Sequence, residues 1–397
     1  MMARIALRFL RETDPRLLAK FAYTVGWKGM RAVQRFERRK ARGEGFPAFL
    51  FLSITNACNL RCQGCWVTPS HPPQHLDLEL AHRLIEAGKR QGTFFYGILG
   101  GEPFLHPGLF DLLAAHPDCY FQVFTNGTLI TAAVAARLRR LGNVTPLISV
   151  EGLETVSDAR RGGTAVFAAT MAGLEHCRKE RLITGVACSI CQSNLADLAT
   201  EAFARQLVER GVHYLWYYLY RPVGPRPCPE LALEREQIIQ LRRFLVEVRC
   251  RVPLLVVDAY WDHEGRGLCP AAVGISHHVN PFGDLEPCPV VQFAADNLAA
   301  AADPGAVIGE SAFLAAFRSF AAAQGQGCII MEDPERLRQF LVEQGARDCT
   351  GRGQGFAELG KACCRLSHHV PGAEIPERHW AYRFGKKHWF FGFGTYG

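Results

Sequence analysis

Six times between residues 48 and 247 a short apolar run is followed by a stretch with helical spacing. "AFLFLSIT" (48–55) is apolar and aromatic throughout its middle, as a buried strand is. "LELAHRLIEAGKRQG" (78–92) gathers Leu80, Leu84 and Ile85 on one face and stops at Gly92. Further strands are expected at 93–103, 119–128, 144–152, 182–190 and 212–220, with helices at 108–116, 131–142, 164–180 and 198–210 between them. Strands joined through helices pair in parallel with right-handed crossovers. The pattern predicts an α/β fold built on a partial (β/α)6 barrel over residues 48–250. In such barrels the chemistry gathers at the C-terminal ends of the strands. After residue 250 the rhythm is lost, and 251–370 reads as a small cysteine-rich α+β domain. Residues 1–47 read as a basic amphipathic helical arm, and 371–397 as an aromatic and basic tail.

The strand ends carry the polar residues. The first runs into "SITNACNLRCQGCW" (53–66), which sets Cys58, Cys62 and Cys65 in a C-x3-C-x2-C spacing with no fourth thiol nearby. The second ends at Gly100-Gly101-Glu102-Pro103, the third at "TNGT" (125–128) and the fourth at Ser149-Val150-Glu151-Gly152. The fifth leads into "SICQSN" and the sixth into "YRPVG". Thiolates are strong ligands for iron–sulfur clusters. Three of them can hold a cubane by three irons and leave the fourth free for a reagent. The plainer alternatives are a structural zinc site at the thiols, an ordinary turn at GGEP and solvated strand ends at Ser149 and Glu151.

Taken together these motifs resemble the radical SAM superfamily. The cysteine spacing is that family's cluster motif, although Gly64 stands where an aromatic residue commonly precedes the last cysteine and Trp66 follows it. GGEP is similar to the motif whose backbone grips the amino group of S-adenosylmethionine. Ser149 and Glu151 align with positions that contact the ribose. "SDARRGG" aligns Asp158 and Arg161 with a D-x-x-R pattern whose arginine faces the methionine carboxylate. The resemblance implies a 4Fe–4S cluster, S-adenosylmethionine as cofactor, and its reductive cleavage to a 5′-deoxyadenosyl radical that abstracts hydrogen from a substrate. It also implies an electron donor such as flavodoxin or ferredoxin.

"CPAAVGISHHVNPFGDLEPC" has the form C-x13-G-x4-C from Cys269 through Gly283 to Cys288. It resembles the SPASM/Twitch extension, in which a hairpin's cysteines begin an auxiliary 4Fe–4S cluster. The dense cysteine block of a full SPASM domain is missing, so one auxiliary cluster is expected, with Cys328 and Cys349 as the further ligands. A zinc knuckle at Cys269 and Cys288 is the alternative. Cys119, Cys177, Cys188 and Cys250 read as packed thiols, and His277 and His278 as packing or surface residues. In this subgroup substrates are often peptides undergoing oxidation or cross-linking. Modification of a lipid or carbohydrate-derived small molecule, or a non-enzymatic zinc or iron–sulfur interaction protein, are the competing readings.

Fifteen cysteines in 397 residues, without an evident cleavage site at "MMARIALRFLRETDPR", fit a reducing cytosol. No apolar stretch is expected to span a membrane. Residues 1–45 hold twelve Lys/Arg against four Asp/Glu, so the arm is +8 while the whole chain is +7. The body is therefore not basic, and nucleic-acid binding is not expected. Leu18, Phe21, Ala22, Val25, Ala32, Val33 and Phe36 share one sector of a helical wheel. That sector either packs on the barrel or enters an anionic membrane surface, giving a cytoplasmic protein peripheral to the inner membrane.

Overall fold

A computed structural model of the chain describes residues 1–388. Seven strands follow one another in parallel: β1 (Phe49–Ser53), β2 (Phe95–Leu99), β3 (Tyr120–Thr125), β4 (Val144–Ser149), β5 (Gly185–Ile190), β6 (Tyr214–Leu219) and β7 (Leu255–Val257). β8 (Ser276–Val279) pairs parallel with β1 on its other side, and β9 (Leu285–Glu286) returns antiparallel to β8. The spatial order is β7-β6-β5-β4-β3-β2-β1-β8-β9.

The period-two alternation of the strands sorts side chains between two layers. Leu50, Leu52 and Ile54 join the main core, which includes Leu80, Leu84 and Ile85 of the helix Leu78–Arg90. That helix starts where Asp77 accepts the Leu80 N–H at 3.1 Å. Phe49 belongs to a separate cluster with Phe95, Tyr120 and Ile275. Leu147, Ala187, Tyr214, Trp216 and Val257 make a third cluster.

These two inner clusters are completed by the N-terminal arm. Ile5 and Phe9 of the helix Met2–Glu12 enter the third cluster, and Val25, Val33 and Phe36 enter the second. The arm continues through the helix Pro15–Phe21, a π-helical stretch Ala22–Lys28 and the helix Gly29–Ala41. Most of the sector that was the candidate membrane face is thus packed on the barrel. Leu7, Leu10, Tyr23 and Trp27 are the large apolar side chains the arm exposes.

The sheet does not stop where the strand–helix rhythm does. β7 and β8 lie beyond residue 250 and extend the sheet at both ends, so the boundary expected there is crossed by backbone hydrogen bonds. β7 is three residues long and β8 reads "SHHV", so neither shows a pattern in the sequence. The helix Glu154–Arg161 was also not foreseen, because "ETVSDARR" lacks an apolar period. Pro304–Ala323 does reach membrane-spanning length and composition, contrary to expectation. It is two helices, Pro304–Glu310 and Ala312–Ala323, with Ser311 capping the second, and it buries Phe313, Leu314 and Phe317 in the core. Cys119, Cys177 and Cys188 are buried, but Cys250 is exposed on its helix. In the tail, Trp380 and Phe384 are exposed while Tyr382 and Lys386 are buried. The tail's last nine residues, 389–397, lie outside the described part.

Candidate radical and auxiliary cluster site

The loop after β1 carries Cys58, Cys62 and Cys65, all partly buried and free. The thiols are near enough to act on one another. Burial, and then the neighbouring Cys62, push the Cys65 thiol up to about 12, and Cys58 is raised for the same two reasons. Neighbouring strand ends hold the loop in place. Asn59 accepts from Asn126 at 2.8 Å and donates to Thr128 at 2.9 Å, both in the loop after β3. Gln63 N–H donates to the Arg160 carbonyl at 2.8 Å, and Gly64 N–H to that of Arg226 at 2.8 Å. Gly64 has φ +63°, and a Cβ there would strike the Tyr220 hydroxyl. Tyr220, at the end of β6, therefore fills the space beside the third cysteine that an aromatic side chain at position 64 would otherwise take.

The GGEP turn is pressed against the same loop. Gly101 N–H donates to the Thr55 carbonyl and Glu102 N–H to that of Ala57, each at 2.7 Å. Gly100 has φ +147°, and a side chain at either glycine would collide with that backbone. Pro103 opens a short 3-10 turn. The Glu102 side chain is fully engaged by the chain itself at the end of β3. It accepts from Thr125 Oγ1 and Asn126 N–H, both at 2.8 Å, and from Phe104 N–H at 3.2 Å. It is a brace between strand ends, which corrects its expected place as a cofactor contact. Burial pushes its carboxyl up to about 7 against those three donors.

Ser149 is half-buried at the end of β4, and two residues on Glu151 meets two arginines. Arg160 stands 3.1 Å and Arg161 3.7 Å from its carboxylate. Arg161 also reaches Cys62 Sγ at 3.6 Å. Both arginines are buried, so neither is a surface charge. Glu151 Oε2 and Arg161 Nη2 make these ion contacts without a well-formed hydrogen bond, and Arg160 Nε makes none, although all three atoms are shielded from water. Buried polar atoms of this kind need partners. The arrangement fits a ligand with its own acceptors and donors beside the three thiols, as S-adenosylmethionine on a cluster would be. Asp158 does not share this role, since it caps Ala165 and Phe167 N–H at 2.7 Å. The sequence did not single out Arg160, nor Cys191, whose sulfur accepts from Arg160 Nη1. A charged residue beside an aligned one was the available signal for Arg160.

In the second region the hairpin forms as expected, and Gly283 takes φ +82° in its turn. Cys269, Cys288 and Cys328 come together. Burial, then Cys269 and Cys328, hold the Cys288 thiol far above its ordinary value. Cys269 is raised to about 11 by burial and then by Cys328. Arg221, just past β6, is buried beside this group: burial lowers its pKa, and Cys328, Tyr260 and Cys269 act on it in the opposite, raising direction. Cys349 is not in this group. Its neighbours are Asp284, Glu286 and Arg347, which corrects its expected place beside the other three. The short ladder pairing Phe293 with Asp348 directs it elsewhere, into a small pocket lined also by Ser53, Trp66, Gly100 and Asn280. His278 sits under that pocket, bonded to Ser53 at 2.7 Å and Glu286 at 2.6 Å. Among the described residues no three His, Cys, Asp or Glu side chains converge as they would on a single metal ion. A four-iron cubane is wider than one ion, so its thiols need not converge so closely.

Three comparisons bear on this geometry. A family model described as the radical SAM superfamily matches residues 52–195. The chain is 30% identical over 277 residues to the mycofactocin maturase MftC of Mycobacterium tuberculosis, covering 65% of this chain and 68% of that protein. It is 28% identical over 228 residues to Fe-coproporphyrin III synthase of Methanosarcina barkeri, covering 53% of this chain and 55% of that one. It thus spans only about half of the latter's length. In fold it is similar to Streptococcus suis SuiB bound to precursor peptide SuiA, with a TM-score of 0.59 at 15% identity over 72% of this chain and 70% of that one.

Proposed function

The chain belongs to the radical SAM superfamily, and from that premise we propose that it modifies a peptide, by oxidation or cross-linking, through hydrogen abstraction. The observation that carries this is the three-thiol loop at the end of β1 with the buried, incompletely hydrogen-bonded ion pairs of Glu151 with Arg160 and Arg161 beside it. Cys58, Cys62 and Cys65 would hold the 4Fe–4S cluster. Bound there, the cluster would supply the electron for reductive cleavage of S-adenosylmethionine.

The protein's part is to bind, orient and shield. Gly100 and Gly101 let the turn press on the 55–57 backbone, as only residues without Cβ can, and the turn so placed would grip the cofactor's amino group. Arg161, whose Nη2 makes only the 3.7 Å contact to Glu151, would face the cofactor's carboxylate, and Ser149 and Glu151 would flank the ribose. Glu102 and Pro103 act through the shape of the turn. Cys269, Cys288 and Cys328 would hold the auxiliary 4Fe–4S cluster, which suits a substrate that must lose a second electron. The peptide reading is favoured because the relative covered over two thirds of its length is named a maturase. The reading also includes an electron donor of the flavodoxin or ferredoxin kind. Peripheral contact with an anionic membrane enters it only through the outward residues Leu7, Leu10, Tyr23 and Trp27.

The test is 5′-deoxyadenosine formed with dithionite. Cys58→Ala, Cys62→Ala and Cys65→Ala are each expected to abolish it. Undiminished product in any of the three would overturn the assignment.

A further inference from the structure

A second and larger cavity, of about 330 Å³, opens between the loop after β6 and the segment 350–365. Its walls are apolar, with Val223, Phe293, Ile330, Met331 and Leu359 lining it. Its polar groups are few and unevenly engaged. Glu358 is held on both carboxylate oxygens by Arg352, at 2.8 and 2.7 Å. Lys361 and Arg365 also line the cavity, and neither makes an ion pair among the described residues. An apolar cleft with two unneutralised cations, and its one carboxylate already matched, is complementary to an apolar ligand that carries an acid.

The cleft is connected to the site above. Gln292 and Thr350 line both this cavity and the small pocket that holds Cys349, Trp66 and Gly100. Gln292 is only 7% exposed, yet its carboxamide makes no hydrogen bond among the described residues. Its amide atoms are not among the side-chain polar atoms shielded from water, so they open to the cavity and are available to a ligand. A peptide bond offers the matching donor and acceptor.

Resting on the peptide reading, we propose that this cleft admits the substrate as an apolar peptide segment bearing a carboxylate. Lys361 and Arg365 hold the carboxylate, the apolar wall takes the side chains, and Gln292 pairs with a backbone amide where the segment turns toward the inner pocket.

The test uses the iron-loaded full chain and a fluorescein-labelled octapeptide pool, randomised over Val, Leu, Phe, Tyr and Gly. One pool ends in a free carboxylate, the other in an amide. Equilibrium anisotropy is read without S-adenosylmethionine. The carboxylate pool is expected to bind about tenfold or more tightly than the amide pool, as a charge-assisted pair implies. The Lys361→Ala/Arg365→Ala variant should lose that difference, and Gln292→Leu should weaken both pools alike. Equal binding of the two pools, no saturable binding, or a preference that survives in the double variant would overturn the proposal. So would saturable binding of a tetracarboxylate porphyrin that the peptide pool fails to displace. Binding involves no turnover, so a failed anisotropy test does not alter the outcome of the cleavage assay, and the reverse also holds.

Discussion

At Glu102 a carboxylate is buried as a brace, and that has a measurable consequence. Burial raises its carboxyl from 4.5 to about 7. The native chain therefore holds this proton more tightly than the unfolded chain does. Its contribution to stability is full below about pH 4.5 and is lost as pH rises through 7, amounting to about 3 kcal/mol. Glu102→Gln should flatten that part of the pH dependence of urea unfolding between pH 5 and 8. An unchanged slope would refute the raised value. The cysteines give a second residue-scale expectation. In a Cys58/Cys62/Cys65→Ala background about four irons per chain should remain, as one cubane requires. Cys269→Ala, Cys288→Ala or Cys328→Ala should then remove them, while Cys349→Ala should not. Iron and sulfide analysis decides, and loss of iron with Cys349→Ala would restore that residue as a ligand.

Among the elements, the N-terminal arm shows how a charge count can mislead. Its cations invite a membrane, yet its apolar side chains fill the two inner clusters of the barrel. Burying Ile5, Phe9, Val25, Val33 and Phe36 stabilises by roughly 1.5–3 kcal/mol each. A chain beginning at residue 46 should accordingly melt far lower or aggregate, which makes truncation a poor probe of docking. The sharper probe changes the outward face alone. Trp27 is 53% and Leu10 63% exposed. If that face meets anionic lipid, Leu10→Glu/Trp27→Glu should keep its melting temperature and stop sedimenting with phosphatidylserine vesicles at low salt. Equal sedimentation of variant and parent would remove membrane contact from the proposed function.

For the whole molecule, the decisive contacts join parts far apart in the chain. Arg249 and Arg242 meet Glu377 of the tail, and Arg249 and Lys386 meet Asp258 just after β7, all five being nearly or fully buried. Two carboxylates and three cations thus lock the tail to the end of β7. Tyr382 adds a hydroxyl to Val256 N–H at 2.9 Å, capping the sheet's edge. Removing one partner leaves the rest buried and uncompensated, which costs about 3–5 kcal/mol. Arg249→Ala should show that loss in chemical denaturation. A loss under about 1 kcal/mol would mean that the network relaxes into water.

Much of this was readable from local pattern. The strand–helix alternation predicts the parallel sheet because its periods, two and then 3.6, are set by backbone geometry. The cysteine spacing and GGEP are short-range signals, and they fall at the strand ends where a barrel concentrates its chemistry. Elements without a period, namely β7, β8 and the helix Glu154–Arg161, gave no such signal, since pairing and charge contacts made elsewhere in the chain hold them. The gathering of Cys328 with Cys269 and Cys288, and the separation of Cys349, followed the same logic. Cys349 lies beside a two-residue ladder to Phe293, and that pairing turns its thiol toward Asp284 rather than toward the hairpin cysteines. Sequence by itself marked the thiols, GGEP and Arg161 as candidates for iron and the cofactor, and it missed Arg160. Only the tertiary structure decided which of them meet, because thiols distant in the chain share a site only when packing brings their backbones together.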